Sequence, residues 1–233
     1  MIEIADRVAL DGQRDHWARV LASSPERFGA DASAPAAAAA QAFHAAGVRR
    51  LLELGAGQGR DTLRFAQAGF DVVALDYADS AVEAVSAKAA VHNLNVQVQS
   101  HDLREPLPFD DETFDACYSH MLYCMAFTEV ELRRLSAEIR RVLRPGGLNI
   151  FTARTTDDPD YGTGAYHGEN LYESGGFIVH FLAPATVERL SEGFELVADE
   201  RFEEGPLPRR LVRVTLRKPR PNKPSPGEQR PGG

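Results

Sequence analysis

The order of apolar and polar residues predicts that strands and helices alternate through the middle of the chain. Short apolar runs at 50–54, 71–76 and 114–119 are typical of buried strands, because they are too short for helices and end at glycine or polar turns. Segments 61–68 and 128–143 instead carry apolar residues at helical spacing. Alternation of this kind predicts a parallel sheet that is covered by helices on both faces.

The C-terminal part of the pattern departs from this alternation. Further strands are predicted at 96–102, 148–152, 194–202 and 211–216, and a helix begins near Asp79. The last two strands are joined by a short turn, whereas a parallel return needs a crossover of about a dozen residues. They must therefore pair as an antiparallel hairpin at one edge of the sheet.

The ends of the chain carry their own compositional signals. An alanine-rich stretch at 34–42 favours a helix, so residues 1–47 are predicted to form a helical N-terminal cap on a main domain at 48–218. Residues 219–233 contain five prolines and three glycines and no large apolar side chain. Such a segment cannot bury enough surface to offset its ordering entropy, which predicts a disordered tail.

Charge and cysteine content narrow the possible partners. The 233 residues include 26 Lys and Arg against 34 Asp and Glu, a net charge of −8, which disfavours nucleic acid as a partner. Two cysteines, Cys117 and Cys124, form neither a disulfide framework nor a zinc pattern, so we expect no metal and a reducing, cytoplasmic location. No apolar run is long enough to span a membrane, and the N-terminus lacks the features of a signal peptide.

The most informative segment is a glycine-rich loop at 53–59, which follows a predicted strand and opens a helix. Its glycines permit a tight turn and the close approach of a ligand to the backbone. The dinucleotide fingerprint requires a glycine at position 60, where this chain has Arg60. Asp76 closes the second strand about 20 residues on, in position to accept hydrogen bonds from a ribose. The alternative is that the glycines serve only a turn and Asp76 caps the next helix.

At this point the chain resembles the class I S-adenosylmethionine-dependent methyltransferases. The resemblance covers about residues 48–217 and rests on ELGAGQG at 53–59, ALDY at 74–77, SHDL at 100–103, FDACYS at 114–119 and RVLRPGG at 141–147. It implies a Rossmann-like α/β fold with a seven-stranded, mostly parallel sheet, a terminal antiparallel strand and helices on both faces. A finer resemblance, through GRDT at 59–62 and LPRRL at 207–211, is to the tellurite-resistance and thiopurine branch.

The resemblance also implies which residues contact S-adenosylmethionine. It places the glycine loop under the methionine and ribose, Asp76 on the ribose hydroxyls, and Tyr77 beside the adenine. Asp102 would accept from the adenine amino group, Glu53 would face the cofactor's amino group, and Ser119 would lie near the methionine moiety. The complete set is Glu53, Gly55, Ala56, Gly57, Gly59, Asp76, Tyr77, Asp102, Leu103 and Ser119.

Candidates for the acceptor side follow the fourth strand and occupy a long insertion. His120 and Tyr123 are the predicted catalytic residues, which would orient or deprotonate an acceptor; the alternative for His120 is that it satisfies a loop carbonyl. The insertion at 154–183 is glycine-rich and aromatic and is predicted to form an acceptor lid with a short strand at 177–181, or alternatively an arm for dimer contact. The predicted substrate-binding residues are Trp17, Tyr161, Tyr166, His167 and His180. Trp17 could instead anchor its helix to the domain.

These observations favour an enzyme that moves a methyl group to sulfur, nitrogen, oxygen or a chalcogen of a small molecule. A nicotinamide-dependent oxidoreductase is the first alternative, and Arg60 and the RPGG motif at 144–147 argue against it. A catalytically silent cofactor-binding regulatory protein is the second, because a fold does not fix a function. Either a monomer or a homodimer is compatible with the sequence.

Overall fold

The computed structural model describes residues 6–24, 27, 29, 31–205 and 209–221. The strands are β1 (Arg50–Leu54), β2 (Asp71–Asp76), β3 (Val96–Ser100), β4 (Phe114–Ser119), β5 (Leu143–Arg154), β6 (Ala165–Tyr166), β7 (Leu171–Ser174), β8 (Phe177–His180), β9 (Glu195–Glu204) and β10 (Arg209–Arg217). The helices are α1 (Arg7–Ser23), α2 (Ala34–Ala45), α3 (Arg60–Gln67), α4 (Asp79–Val91), α5 (Glu129–Val142) and α6 (Pro184–Leu190). Most of the predicted tail, from residue 222 on, and the turn at 206–208 lie outside the described residues.

Seven strands form one sheet in the order β3-β2-β1-β4-β5-β10-β9. Strands β1 to β5 are parallel, whereas β10 runs antiparallel to both β5 and β9. The predicted fold class is thereby confirmed, including the antiparallel hairpin at one edge. The carboxyl ends of β1, β2, β3 and β4 consequently meet at a single edge of the sheet, where open α/β sheets bind their ligands.

Both faces of the sheet are buried, which explains why the central strands are apolar at nearly every position. On one face α5 packs Leu132, Leu135 and Ile139 against strand residues such as Leu52 and Phe151. On the other face α2 and α3 pack against the alternate strand residues, with Phe43 and Phe65 among the buried side chains. A capping box fixes the start of α5, because Thr128 and Glu131 each bond to the other's backbone N–H.

The start of β5 differs from the prediction. The helical segment was predicted to end at residue 143 and the next strand to begin at residue 148, but β5 already begins at Leu143. Its irregular start is held by the residue that follows β10, because Gly146 donates to the Lys218 carbonyl and Lys218 donates to the Gly147 carbonyl. The register against β4 shifts in this stretch, so the glycines and proline form an irregular strand start rather than a loop.

The insertion at 154–183 folds into a second, three-stranded antiparallel sheet in the order β6-β7-β8, which we call the small sheet. The predicted short strand near 177–181 is present as β8. Helix α1 packs on the small sheet, where Leu10 is buried together with Leu171 and Ile178. None of the helices in the described part of the chain is long and apolar enough to cross a membrane.

Candidate functional site

The loop between β1 and α3 contains three glycines, which share a backbone conformation but differ in the space around them. All three have positive φ angles, 71° at Gly55, 52° at Gly57 and 82° at Gly59. A Cβ on Gly55 would lie 3.0 Å from Leu122 Cδ1, and one on Gly59 would lie 2.6 Å from Val85 Cγ2. A Cβ on Gly57 would meet nothing within 4 Å. Gly59 is therefore required by packing against α4, whereas Gly57 faces space that a ligand can fill.

Asp76 is tied to this loop by hydrogen bonds to the backbone. Its carboxylate is 6% exposed and accepts from the Gly57 N–H at 2.8 Å and from the Ala78 N–H at 2.9 Å. Burial raises the pKa of Asp76, an effect that these backbone donors partly offset. Asp76 thus orders the glycine loop and the approach to α4 together, and the remaining lone pairs of its oxygens can still accept from ribose hydroxyls.

Two polar atoms at the carboxyl ends of β1 and β4 are buried without a hydrogen-bond partner among the described residues. They are Glu53 Oε2 and Ser119 Oγ, and their residues are 4% and 1% exposed. Burial, together with the nearby charge of Asp61, raises the pKa of Glu53 well above its ordinary value. Buried polar groups are normally hydrogen-bonded, so these two atoms are candidates for contacts with a ligand at this edge of the sheet. The methionine ammonium of S-adenosylmethionine fits a carboxylate and a hydroxyl of this kind.

The predicted adenine end is formed by Tyr77, Asp102 and Leu103, and α1 lies against it. Arg104 bonds Asp102 through two nitrogens, the closer at 2.7 Å, and Arg14 of α1 bonds it at 3.1 Å. Burial acts to raise the pKa of Asp102, but the Arg104 hydrogen bonds outweigh it and the net pKa is lowered. The Arg14 guanidinium also lies 5.6 Å from the centre of the Tyr77 ring, within cation–π range.

Helix α1 spans the crevice from the cofactor loops to the small sheet. On the cofactor side, Gln58 donates its side-chain amide to the carbonyls of Leu21 and Ser24. On the other side, the buried Gln13 amide donates to the Gly176 carbonyl at 3.0 Å and accepts from the Ile178 N–H at 3.1 Å. The side chain of Gln13 therefore pairs with the backbone at the start of β8, and α1 covers the crevice between these two attachments.

His120 follows β4 directly and is held by two side chains rather than by a loop carbonyl. Its Nδ1 lies 2.8 Å from Thr152 Oγ1, and its Nε2 lies 3.3 Å from Glu204 Oε2. Thr152 Oγ1 also accepts from the Met121 N–H at 3.0 Å. The hydrogen bond to His120 is the main cause that lowers the pKa of Glu204, so this carboxylate is charged at neutral pH.

Sequence reasoning missed Glu204 and Thr152. Asp199 is the β9 residue level with Ser119 across the sheet, through the pairs Ser119–Phe151, Phe151–Val214 and Val214–Asp199. Glu204 lies five positions further along β9, so the end of the β9–β10 hairpin must bend back over the sheet edge to reach His120. No local pattern in the sequence marks a contact between residues 84 positions apart.

Two predicted acceptor residues prove to be core residues. Tyr123 is fully buried, stacks on Phe151 with ring centres 4.1 Å apart, and places its hydroxyl 3.4 Å from Ser136 Oγ. His180 is 1% exposed, bonds the Phe127 carbonyl through Nδ1, and burial lowers its pKa to about 4. Both side chains are satisfied inside the domain, which does not favour these roles; the catalytic role of Tyr123 and the substrate contact of His180 stay predictions.

The remaining predicted substrate residues lie in or against the small sheet. The Tyr161 hydroxyl donates to Asn170, and the Tyr166 ring lies 5.0 Å from the Tyr172 ring. His167 Nε2 lies 2.9 Å from Glu173. Trp17 packs on Phe177 of β8 with ring centres 4.8 Å apart, so it anchors α1 to the small sheet. None of these contacts by itself places a side chain at the reacting atoms.

Comparison with known proteins identifies the domain that carries this site. Residues 51–147 match the methyltransferase domain family. An uncharacterized methyltransferase of Mycobacterium tuberculosis is 37% identical over 113 residues, which is 48% of this chain and 43% of that protein. The chain thus spans less than half the length of this curated relative. The family match at 51–147 covers the glycine loop, the strand that ends at Asp76 and the strand that precedes His120.

Solved structures support the same fold. The 1,6-didemethyltoxoflavin N1-methyltransferase of Burkholderia thailandensis, crystallised with 1,6-didemethyltoxoflavin and S-adenosylhomocysteine, aligns with a TM-score of 0.70 at 20% identity over 89% of this chain and 87% of that one. TehB of Haemophilus influenzae aligns with a TM-score of 0.65 at 16% identity over 84% of this chain and 65% of that one. At these identities the likeness concerns the fold alone. Together with the domain match at 51–147, it supports the predicted family and its cofactor, S-adenosylmethionine, whereas the finer branch stays a prediction.

Proposed function

We propose that this chain, which belongs to the class I S-adenosylmethionine-dependent methyltransferases, transfers a methyl group to a small-molecule acceptor. The observation that carries the proposal is the pair of unpartnered buried atoms, Glu53 Oε2 and Ser119 Oγ, beside a glycine loop ordered by Asp76. A turn that served only the backbone would have no use for a buried carboxylate with a free oxygen. The domain match favours methyl transfer over the nicotinamide alternative.

Each part of the site has a distinct task in this proposal. When bound, S-adenosylmethionine supplies a methyl carbon whose bond to sulfur breaks with the electron pair left on sulfur, as an acceptor lone pair bonds to the carbon. Glu53 and Ser119 would hold the amino-acid end, Asp76 the ribose, and Tyr77 and Asp102 the adenine. The protein then contributes positioning and the exclusion of water, to which α1 adds by covering the crevice.

The structure of the cover supports a small acceptor. Helix α1 and the small sheet are joined by the Gln13 bonds and by Trp17 against Phe177, so they lie over the crevice as one layer. The Burkholderia neighbour acts on 1,6-didemethyltoxoflavin, which is itself a small molecule. Cys124 is not available to bind a soft, thiol-seeking acceptor. Its buried thiol donates to the Met121 carbonyl, and burial raises its pKa to about 11.

Calorimetric titration with S-adenosylhomocysteine, S-adenosylmethionine and NAD tests the cofactor. We expect the two adenosyl compounds to bind and NAD not to bind; binding of NAD alone would overturn the proposal. A panel of phenols, amines and thiols is then assayed for release of S-adenosylhomocysteine. Cofactor binding without turnover of any acceptor would instead favour the silent regulatory alternative.

A further inference from the structure

Three carboxyl groups are buried close together at the end of the crevice where the methionine part of the cofactor is expected. They are Glu53 at the end of β1, Asp61 in the first turn of α3 and Asp76 at the end of β2, and they are 4%, 3% and 6% exposed. The charges of Asp61 and Asp76 both act on Glu53. The Arg60 guanidinium acts on it more weakly, and the Arg60 side chain is 25% exposed and so partly screened by solvent. Negative charge therefore dominates around Glu53 when no cofactor is bound.

Glu53 differs from the other two carboxyl groups in its hydrogen bonds. Asp61 accepts from the Ser33 N–H at 2.7 Å and from the Ser33 hydroxyl at 2.8 Å, and Asp76 accepts from two backbone N–H groups. Glu53 Oε2 has no hydrogen-bond partner within the described ranges, and neither has Ser119 Oγ on the neighbouring strand β4. Burying a charge without a partner is costly, so a neutral, protonated Glu53 is favoured in the free protein.

The groups that act on Glu53 agree with this assignment. Burial is the main cause that raises the pKa of Glu53, and the charges of Asp61 and Asp76 add to it. The Thr62 hydroxyl and the Arg60 guanidinium act in the opposite direction without reversing the shift. The titratable groups that β4 contributes next to Glu53 are neutral, because burial raises the pKa of each: Cys117 and Tyr118.

We propose that Glu53 is protonated in the cofactor-free protein and releases this proton to solvent when the ammonium group of the cofactor binds. The O–H bond of Glu53 breaks, its electron pair stays on the carboxylate, and the proton passes to water. The carboxylate then accepts a hydrogen bond from the ammonium, so that one positive charge replaces another. This end of the site thereby selects ligands that carry a cationic amino group. The inference rests on the proposed function.

This exchange links cofactor affinity to pH. At a pH below the raised pKa of Glu53, each binding event releases a proton, so affinity increases as the pH rises. Above that pKa Glu53 is already a carboxylate, and this dependence ends. Above about pH 7.7 the amino group of the ligand loses its own proton, and affinity should fall.

Calorimetry of S-adenosylhomocysteine binding in two buffers of different ionisation enthalpy counts the protons released. We expect the release to approach about one proton per ligand at mildly acidic pH and to decrease at higher pH. The matched ligand is 5′-methylthioadenosine, which has the adenosine and the thioether but no amino-acid end, and it should bind without proton release. Binding of S-adenosylhomocysteine without proton release, or equal release by both ligands, would overturn the inference. Failure of S-adenosylhomocysteine to bind would instead count against the proposed function itself.

A variant assigns the proton to its residue. Glu53→Gln should lose most of the proton release, measured at ligand concentrations high enough to offset its weaker binding. Glu83→Gln, on the exposed face of α4, is the matched control and should release protons like the unmodified protein. Undiminished release in Glu53→Gln would contradict the assignment and point to Asp76, the other carboxyl group of the crevice whose pKa is raised by burial.

Infrared difference spectroscopy of the unmodified protein makes the test independent of how the variant folds. A protonated carboxyl group has a C=O stretching band that a carboxylate lacks. Addition of S-adenosylhomocysteine should remove one such band, whereas 5′-methylthioadenosine should leave it in place. If the spectrum of the carboxyl groups did not change on S-adenosylhomocysteine binding, Glu53 would not be the proton donor.

Discussion

The predicted cofactor half and the predicted acceptor half of the crevice differ in the groups that form them. The cofactor half is made largely of backbone: three glycines at positive φ, and a carboxylate that accepts from the Gly57 and Ala78 N–H groups. The acceptor half is made of side chains that meet from distant parts of the chain, as His120 does with Thr152 and Glu204. A backbone site tolerates few substitutions, whereas a side-chain site can change its chemistry one residue at a time.

The difference also appears in how polar groups are satisfied. In the predicted acceptor half, both nitrogens of His120 have partners within the protein. In the cofactor half, Glu53 and Ser119 retain unpartnered atoms among the described residues. Leaving a buried donor or acceptor unpaired costs about 1–3 kcal/mol. The predicted cofactor half therefore retains unpaired buried atoms that a bound ligand would satisfy.

The largest expected effect comes from filling the space at Gly57. Valine there should lower S-adenosylhomocysteine affinity by more than about 100-fold, because its side chain would enter the crevice and its φ of 52° is strained for a β-branched residue. Gly47→Val is the matched control, since Gly47 has a φ of 71° and also meets nothing within 4 Å, but lies after α2. Equal affinities of the two variants by calorimetry would contradict a backbone-built cofactor site.

Replacing Glu53 by Gln should weaken cofactor binding and make the cofactor-free protein more stable as the pH rises. Loss of a charged hydrogen bond to the cofactor's ammonium should weaken binding by about 1.5–3 kcal/mol, or tenfold to 100-fold. Glu83→Gln, on the exposed face of α4, should bind like the unmodified protein. Full affinity in Glu53→Gln would show that the cofactor's ammonium does not bind at Glu53.

The stability of the same variant has a definite pH dependence. A carboxyl group whose folded-state pKa is raised contributes full stability at low pH and loses it as the pH rises through that pKa. Burial raises the pKa of Glu53 in this way. Thermal unfolding of the cofactor-free protein should therefore show that Glu53→Gln becomes the more stable form with rising pH. The stability of Glu53→Gln should still fall with rising pH, but less steeply than that of the unmodified protein, because burial also raises the pKa of Asp76.

A smaller effect is expected at the contact between α1 and β8. Phe177→Ala removes ring contacts with His16 at 4.6 Å and Trp17 at 4.8 Å, a loss of about 1–2 kcal/mol. Amide hydrogen exchange in α1 should speed up by about tenfold. Tyr166→Ala changes a ring in the same small sheet that packs on Tyr172, and α1 should exchange as before. If amide exchange in α1 were unchanged in Phe177→Ala, the contact with the small sheet would not be what holds α1 in place.

The smallest effect is expected from Arg14→Ala. The side chain of Arg14 is 47% exposed, so its ion pair with Asp102 is worth about 0.2–1 kcal/mol after screening by solvent. We expect S-adenosylhomocysteine affinity to fall by less than about fivefold, and the difference to shrink as salt is added. Arg19→Ala, on the exposed face of α1, is the control. A salt-independent loss would indicate a direct contact with the adenine.

Local patterns predicted the sheet well, because strands and helices depend on neighbouring residues. They also singled out the glycine loop and Asp76, which the structure joins by a hydrogen bond, while the contacts of these residues with the cofactor stay predictions. The runs at 50–54, 71–76 and 114–119 are strands with those bounds. The irregular start of β5 was missed, since it is held by Lys218, which follows the distant strand β10. The burial of Tyr123 was not foreseen for the same reason, as it depends on Phe151 and Ser136 rather than on the distance of Tyr123 from β4.

The two bonds of Gln13 have a consequence for how ligands leave. They join a helix to the backbone at the start of β8, so α1 cannot lift from the crevice without dragging the three-stranded insertion or breaking both bonds. We therefore expect α1 and the small sheet to open and close as one unit, so that a single movement would uncover the crevice from both of its sides.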